Sequence, residues 1–305
     1  LNANATLPNS INYGTRPVVL NNGAIFFGWG ISSMTIGGTI SGNGTFTKVG
    51  AGNITFSATG VYSYLGGTTV NAGALVYAAS NHLVNAAPVT VNGGELRLST
   101  FSDTVGAVKL TGGAITGTTG VLTATAYDLQ AGIISANLAG AGAIATKSTA
   151  GIVTLTGNNT FTGKFILNAG TIYAGSNTAF GTGTVTLNAG RVSANSAVAR
   201  SLANNLVLGA DMLLGSTTDT GALTFSGDVD LGAATRTLTI DSAVTIGGVI
   251  SNGGLTKAGA DQLTLSGMNT FSGTTIVDAG ILTLSGGSAL INSMAVTVSS
   301  GGTLK

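Results

Sequence analysis

In the stretch Gln262–Ser266 the chain reads QLTLS, so that Leu263 and Leu265 share one face and Thr264 takes the other. This is the two-residue period of a strand buried on one side. The same alternation places Val153 with Leu155 and Ile54 with Phe56. Between such strands lie glycines and asparagines, as in Asn168-Ala169-Gly170. There the chain must turn, and a positive φ is expected. No apolar run approaches the roughly 18 residues of a membrane-spanning segment.

The strands belong to repeats. Aligning the chain on Thr47-Lys48, Thr146-Lys147 and Thr256-Lys257 gives three copies of one unit. The second reads TKSTAGIVTLTGNNTFTGKFILNAGTI and the third TKAGADQLTLSGMNTFSGTTIVDAGIL. Each carries an Ala-Gly pair at the same distance past its lysine, ending at Gly170 and Gly280. The first copy reaches its own pair, at Gly73, slightly later because of a short insertion near Tyr62. A shorter period runs inside them. From Gly73 the turn glycines step to Gly93 and Gly112, and from Gly170 to Gly190 and Gly209, the same pair of steps in both series. Each step is about 20 residues, the length of one coil of a β-helix. The chain is therefore expected to be all-β: a single parallel β-helix of about fifteen coils, aliphatic ladders inside and Thr, Ser and Asn ladders outside. At about 4.8 Å per stacked strand such a rod is on the order of 70 Å long. A β-sandwich does not repeat itself in this way.

Composition narrows the class. Asp, Glu, Lys and Arg make up 7 % of the 305 residues and hydrophobic residues 44 %. Disorder requires the opposite balance. Glycine contributes 49 residues against 3 prolines, without a three-residue period, which excludes collagen. A net charge of +1, scattered along the chain, leaves no basic patch for nucleic acid. The absence of cysteine suits a chain that crosses a periplasm or pore unfolded.

The pattern LTKxGxGxLTLSGxNTFSGxTTIxxAGxL resembles the autotransporter-associated β-strand repeat of bacterial passenger domains, well at residues 247–285 and 132–173 and more loosely at 36–77. The resemblance implies a right-handed β-helix exported to the outer surface of a diderm bacterium. One continuous β-helix is expected over 1–305, with repeats at about 36–98, 132–192 and 247–305 and spacer coils at 99–131 and 193–246. Neither terminus reads as a solenoid cap. Leu1 carries no signal peptide, SSGGTLK stops inside a strand, and PVVLNNG already copies a coil. Two explanations fit: a segment of a much longer passenger, or subunits that stack end to end into a filament.

Candidate chemistry is sparse. Asp211, Asp219, Asp228, Asp230 and Asp241 are the one local concentration of carboxylates. Asp228 and Asp230 in GDVDLG are the weak candidates for a calcium site, or for acid/base chemistry if a basic residue such as Arg236 converges on them. Two exposed aspartates at a turn explain the pair equally well. No cofactor is expected. The calcium-binding nonapeptide series is absent, and Gly42–Lys48 lacks the ending of a phosphate loop. One histidine and no cysteine exclude a zinc site, and His82 is expected in a surface loop. Phe26, Phe27 and Trp29 in AIFFGWG are expected to fill core or to stack a sugar. Lys48, Lys147 and Lys257 are expected to mark an outward turn, with Gly73, Gly170 and Gly280 as turn positions. The reading that follows is a non-catalytic structural solenoid, a stalk or fibre. The alternatives are an adhesin binding glycan or another cell, with insertions 57–66 and 191–246 as the places to look, and a polysaccharide-active enzyme.

Overall fold

The computed structural model describes residues 11–12, 15–21, 24–27, 33–286 and 289–305. No helix occurs among them, and stacked parallel strands build a β-solenoid of about 14 turns. The chain divides into two compact units, Leu1–Ala145 and Thr146–Lys305.

In the first unit one stack runs Phe46–Val49, Thr68–Val70 and on through the starts of Val89–Ser99 and Ala107–Gly117 to Ala126–Leu129, every step parallel. A second runs Met34–Ile36, Asn53–Phe56, Ala74–Tyr77 and on into Glu95–Arg97 and Ala114–Thr116. A third face carries the short strands Asp103–Thr104, Val121–Thr123 and Asn137–Ala139. Like falls on like. Met34, Ile54, Leu75, Leu96 and Ile115 form one in-register column, and all five side chains are buried. Fully burying an aliphatic side chain of this kind contributes about 1.5–3 kcal/mol, which explains why alternation dominates the sequence.

The second unit repeats the plan. Ile152–Leu155, Thr171–Ala174, Arg191–Ala194, Met212–Leu214, Leu238–Ile240, Leu255–Lys257 and Thr275–Val277 succeed one another on one face. Phe165–Leu167, Val185–Leu187, Leu206–Leu208 and Val229–Asp230 line the next. Arg200–Leu202, Leu223–Phe225, Val244–Ile246, Gln262–Leu265 and Ile281–Leu284 form the third.

Candidate functional site

The recurring lysines do not face outward. Lys48, Lys147 and Lys257 are fully buried. The cause is the strand period itself: in Phe46–Val49 the first and third residues point inward, so Lys48 follows Phe46 into the core. Lys257 likewise stacks between Leu238 and Val277. Each aliphatic stem fills its place in the column, and the ammonium reaches the corner of the coil. The Lys48 Nζ donates to the carbonyls of Val49 (2.9 Å), Gly50 (2.7 Å) and Ala72 (2.9 Å). The Lys257 Nζ donates to Ala258 (2.9 Å), Gly259 (2.8 Å) and Ala279 (2.9 Å). Two of each three acceptors lie in the lysine's own turn and the third in the turn of the next coil. The Lys147 Nζ donates to the Thr149 carbonyl and, at 3.0 Å, to Thr149 Oγ1. Burial pushes Lys48 and Lys257 down to about 8, with Asp261 and Asp241 pulling Lys257 the other way.

The glycines of the motif are set by the same corner. Gly73, Gly170 and Gly280 have φ of 61°, 77° and 67°. A Cβ on Gly73 would stand 2.7 Å from Lys48 Nζ, and one on Gly170 2.7 Å from Lys147 Nζ and 2.5 Å from the Gly151 carbonyl. Lysine and glycine, which sit on successive coils, are two halves of one clamp.

Each of the aspartates bonds a neighbour within the stack of coils. Asp228 Oδ1 accepts the Val249 amide at 2.9 Å, and Asp230 Oδ1 accepts the Gly232 amide at 2.8 Å and Asn252 Nδ2 at 3.2 Å. Asp211 accepts the Thr237 amide, Asp219 the Thr218 hydroxyl, and Asp241 pairs with Arg191 at 2.8 Å. Arg236 Nε donates to the Leu231 carbonyl at 2.9 Å. Among the described residues no three His, Cys, Asp or Glu gather where a metal could be held.

His82 corrects the expectation from sequence: it is buried, not a surface-loop residue. Its ring lies edge-on to Phe56, Tyr62 and Tyr77 at centroid distances of 6.0, 5.1 and 5.3 Å. Its Nε2 accepts the Ala79 amide at 3.0 Å. Buried Asp103 accepts the amides of His82 (3.1 Å) and Leu83 (2.9 Å) through Oδ2. Burial lowers His82 and raises Asp103, the latter opposed by the hydrogen bonds its carboxyl accepts. Also missed by sequence reasoning are Asn159 and Asn269, buried side chains that donate to the carbonyls of Ala179 (2.7 Å) and Ala289 (2.8 Å) on the next coil. The recurring NNTF and MNTF were their signal. Trp29 lies outside the described residues; Phe26 and Phe27 lie in a strand paired with Phe46–Val49.

On the outer side, polar residues stack in rows. Asn92 donates to Asn71 and Asn188 to Asn168, each at 2.8 Å. Ser201, Thr224, Thr245 and Thr264 form an in-register column within the second unit. Of the two insertions, 57–66 supplies the buried Tyr62 and Tyr64 flanked by exposed Val61 and Leu65. Segment 191–246 supplies the Arg191–Asp241 pair.

The three repeats that carry the clamp lysines are also matched by a family model. The passenger-associated-transport-repeat model matches residues 46–76, 146–173 and 255–284, each span starting at or within two residues of a clamp lysine. The chain is a passenger-type β-solenoid built on autotransporter repeats. It is 32 % identical over 292 residues to a protein of Brucella suis biovar 1 (strain 1330) named Adhesin BmaC autotransporter. That match takes in 88 % of this chain but 8 % of the relative's length. No solved structure matches the chain. No helix among the described residues is long and apolar enough to cross a membrane.

Proposed function

We propose that this chain is a non-catalytic spacer segment of an adhesive passenger, displayed on the outer surface of a diderm bacterium. The observation that carries this reading is where the polar chemistry goes. The clamp lysines, the aspartates at 211, 228 and 230, and the asparagines at 159 and 269 all bond backbone or side chains within the stack of coils. A spacer needs that internal cohesion, whereas an enzyme needs some of those groups aimed at a substrate. The relative's name supports the adhesive context, and the repeats support export and surface display.

The test is a replacement in the full-length surface protein. Residues 1–305 are exchanged for an unrelated β-helix of the same number of coils, and attachment of whole cells is measured. Retained attachment supports a spacer; lost attachment with normal surface display overturns it. The second reading is that the segment itself adheres. The uncharged column Ser201–Thr224–Thr245–Thr264 favours it, and direct binding of the purified chain to host cells or glycans would establish it.

A further inference from the structure

The first repeat differs from the other two at one corner, and the differences belong together. Counted from the turn glycine, His82 lies nine residues past Gly73, where the other copies have Ala179 and Ala289. Tyr62 lies eleven before it, in place of Asn159 and Asn269, and Tyr77 four after it, in place of Ala174 and Leu284. Counted from the lysine, Phe56 replaces Leu155 and Leu265. In the second and third copies the corner is closed by an asparagine donating to the alanine's carbonyl at 2.7 and 2.8 Å. In the first copy that hydrogen bond is replaced by an imidazole among three aromatic rings. An acid-insensitive staple has been exchanged for one that titrates.

We propose that the segment 79–87 is an acid-released strap, docked while His82 is neutral and freed when its ring takes up a proton. The neutral ring fits because Nε2 accepts the Ala79 N–H. A proton on Nε2 turns that acceptor into a donor, sets two N–H groups against each other, and places a positive charge in a site closed by Phe56, Tyr62 and Tyr77. The groups facing the ring from the packed elements are the Tyr62 and Tyr77 rings, with Asp103 beneath the His82 and Leu83 amides. Burial pushes both tyrosines up, so neither carries charge near neutrality. Burial also lowers His82, while the Phe56 carbonyl pulls it back. The sign follows. The released imidazole titrates near 6.5 and the docked one lower, so docking is intact above that range and is lost as pH falls, by up to about tenfold per pH unit. Asp103 acts in the opposite sense. Burial holds its carboxyl above the usual range, so it takes up a proton more readily when docked, although that proton weakens the amide bonds the carboxylate accepts from His82 and Leu83. Release exposes the aromatic wall of Phe56, Tyr62 and Tyr77.

The chain has a single histidine, so its imidazole resonances report His82 directly. Two measurements on the intact chain are paired: an NMR titration of the ring, and amide hydrogen exchange at about pH 7.5 and about pH 5.5, corrected for intrinsic rates, either side of the histidine range. Expected are a ring midpoint below 6.5, loss of protection across residues 78–88 on acidification, and no loss across 175–185, the same place in the second copy. His82→Phe is expected to keep 78–88 protected at the lower pH as at the higher one. A midpoint at or above 6.5, or equal responses of 78–88 and 175–185, overturns the proposal, as does a His82→Phe chain that loses protection like the parent. Should His82→Phe fail to fold, the two measurements on the parent decide alone.

Discussion

Replacing Lys257 by methionine keeps a flexible apolar stem between Leu238 and Val277 but removes the ammonium from the corner. Three contacts of 2.8–2.9 Å are lost, to Ala258, Gly259 and Ala279. Hydrogen bonds to a charged donor contribute about 1.5–3 kcal/mol each. Against that gain stands the cost of taking an ammonium out of water, several kcal/mol in a real protein. The carbonyls sit at a half-exposed turn where water can replace part of what is lost. The net cost expected of Lys257→Met is therefore about 2–4 kcal/mol, well below the sum of three bonds. Because each coil of a solenoid touches only its neighbours, the loss is local. Urea unfolding followed by far-UV circular dichroism gives its size, and hydrogen exchange over 256–282 its place. The pH dependence checks the mechanism. Folding pushes Lys257 down from 10.5 to about 8. Between those values the unfolded chain still holds a proton that the fold has released, so the parent gains stability as pH rises while the methionine variant does not. The gap between them should widen from pH 8 upward across that window. A cost within about 0.5 kcal/mol, typical of an ordinary surface change, would refute the clamp. A gap that narrows with pH would show that the carbonyls, not desolvation, govern the ammonium.

Further outcomes are expected. Gly170→Ala meets both a φ of 77° and carbonyl oxygens of the preceding turn, and should cost about 2–4 kcal/mol by urea unfolding. Gly142→Ala shares the positive φ (70°) but meets nothing within 4 Å, and should cost about 1 kcal/mol. Calcium or its chelation should leave the melting temperature unchanged, since Asp228 and Asp230 are already bonded to amides; a shift with calcium that Asp228→Asn abolishes would restore the calcium site. Phe161→Ala, which empties a fully buried position, should cost about 3–5 kcal/mol by the same urea unfolding.

The fold is legible in the sequence because a two-residue period that recurs in units of about 20 residues admits few architectures, and stacking like on like follows from it. The lysines defy expectation because residue type is a weaker guide there than position. A charged residue is seldom buried, yet Lys48 stands two places after Phe46 in a strand and must share its face. For His82 the missing step is one count: nine residues past the turn glycine, the other copies have buried alanines. The partners of Asp103 and Asp228 are not legible at all. They depend on which coil lies above which residue, and register enters only with the third dimension.

Register also accounts for the few polar side chains that recur in the same places. A column of Val, Leu and Ile tolerates slippage by a whole coil, because any member packs acceptably on any other, and apolar burial alone leaves the stacking order weakly specified. The buried lysines that bond the carbonyls of Ala72 and Ala279, and the buried asparagine that bonds that of Ala179, would each leave a polar group stranded wherever the next coil failed to present that carbonyl. These residues tie each coil to its neighbour in register. A surface for another molecule must then be built from what is left pointing outward. In the second unit one such feature is the hydroxyl column from Ser201 to Thr264, whose regularity follows from the parallel register of the strands that carry it.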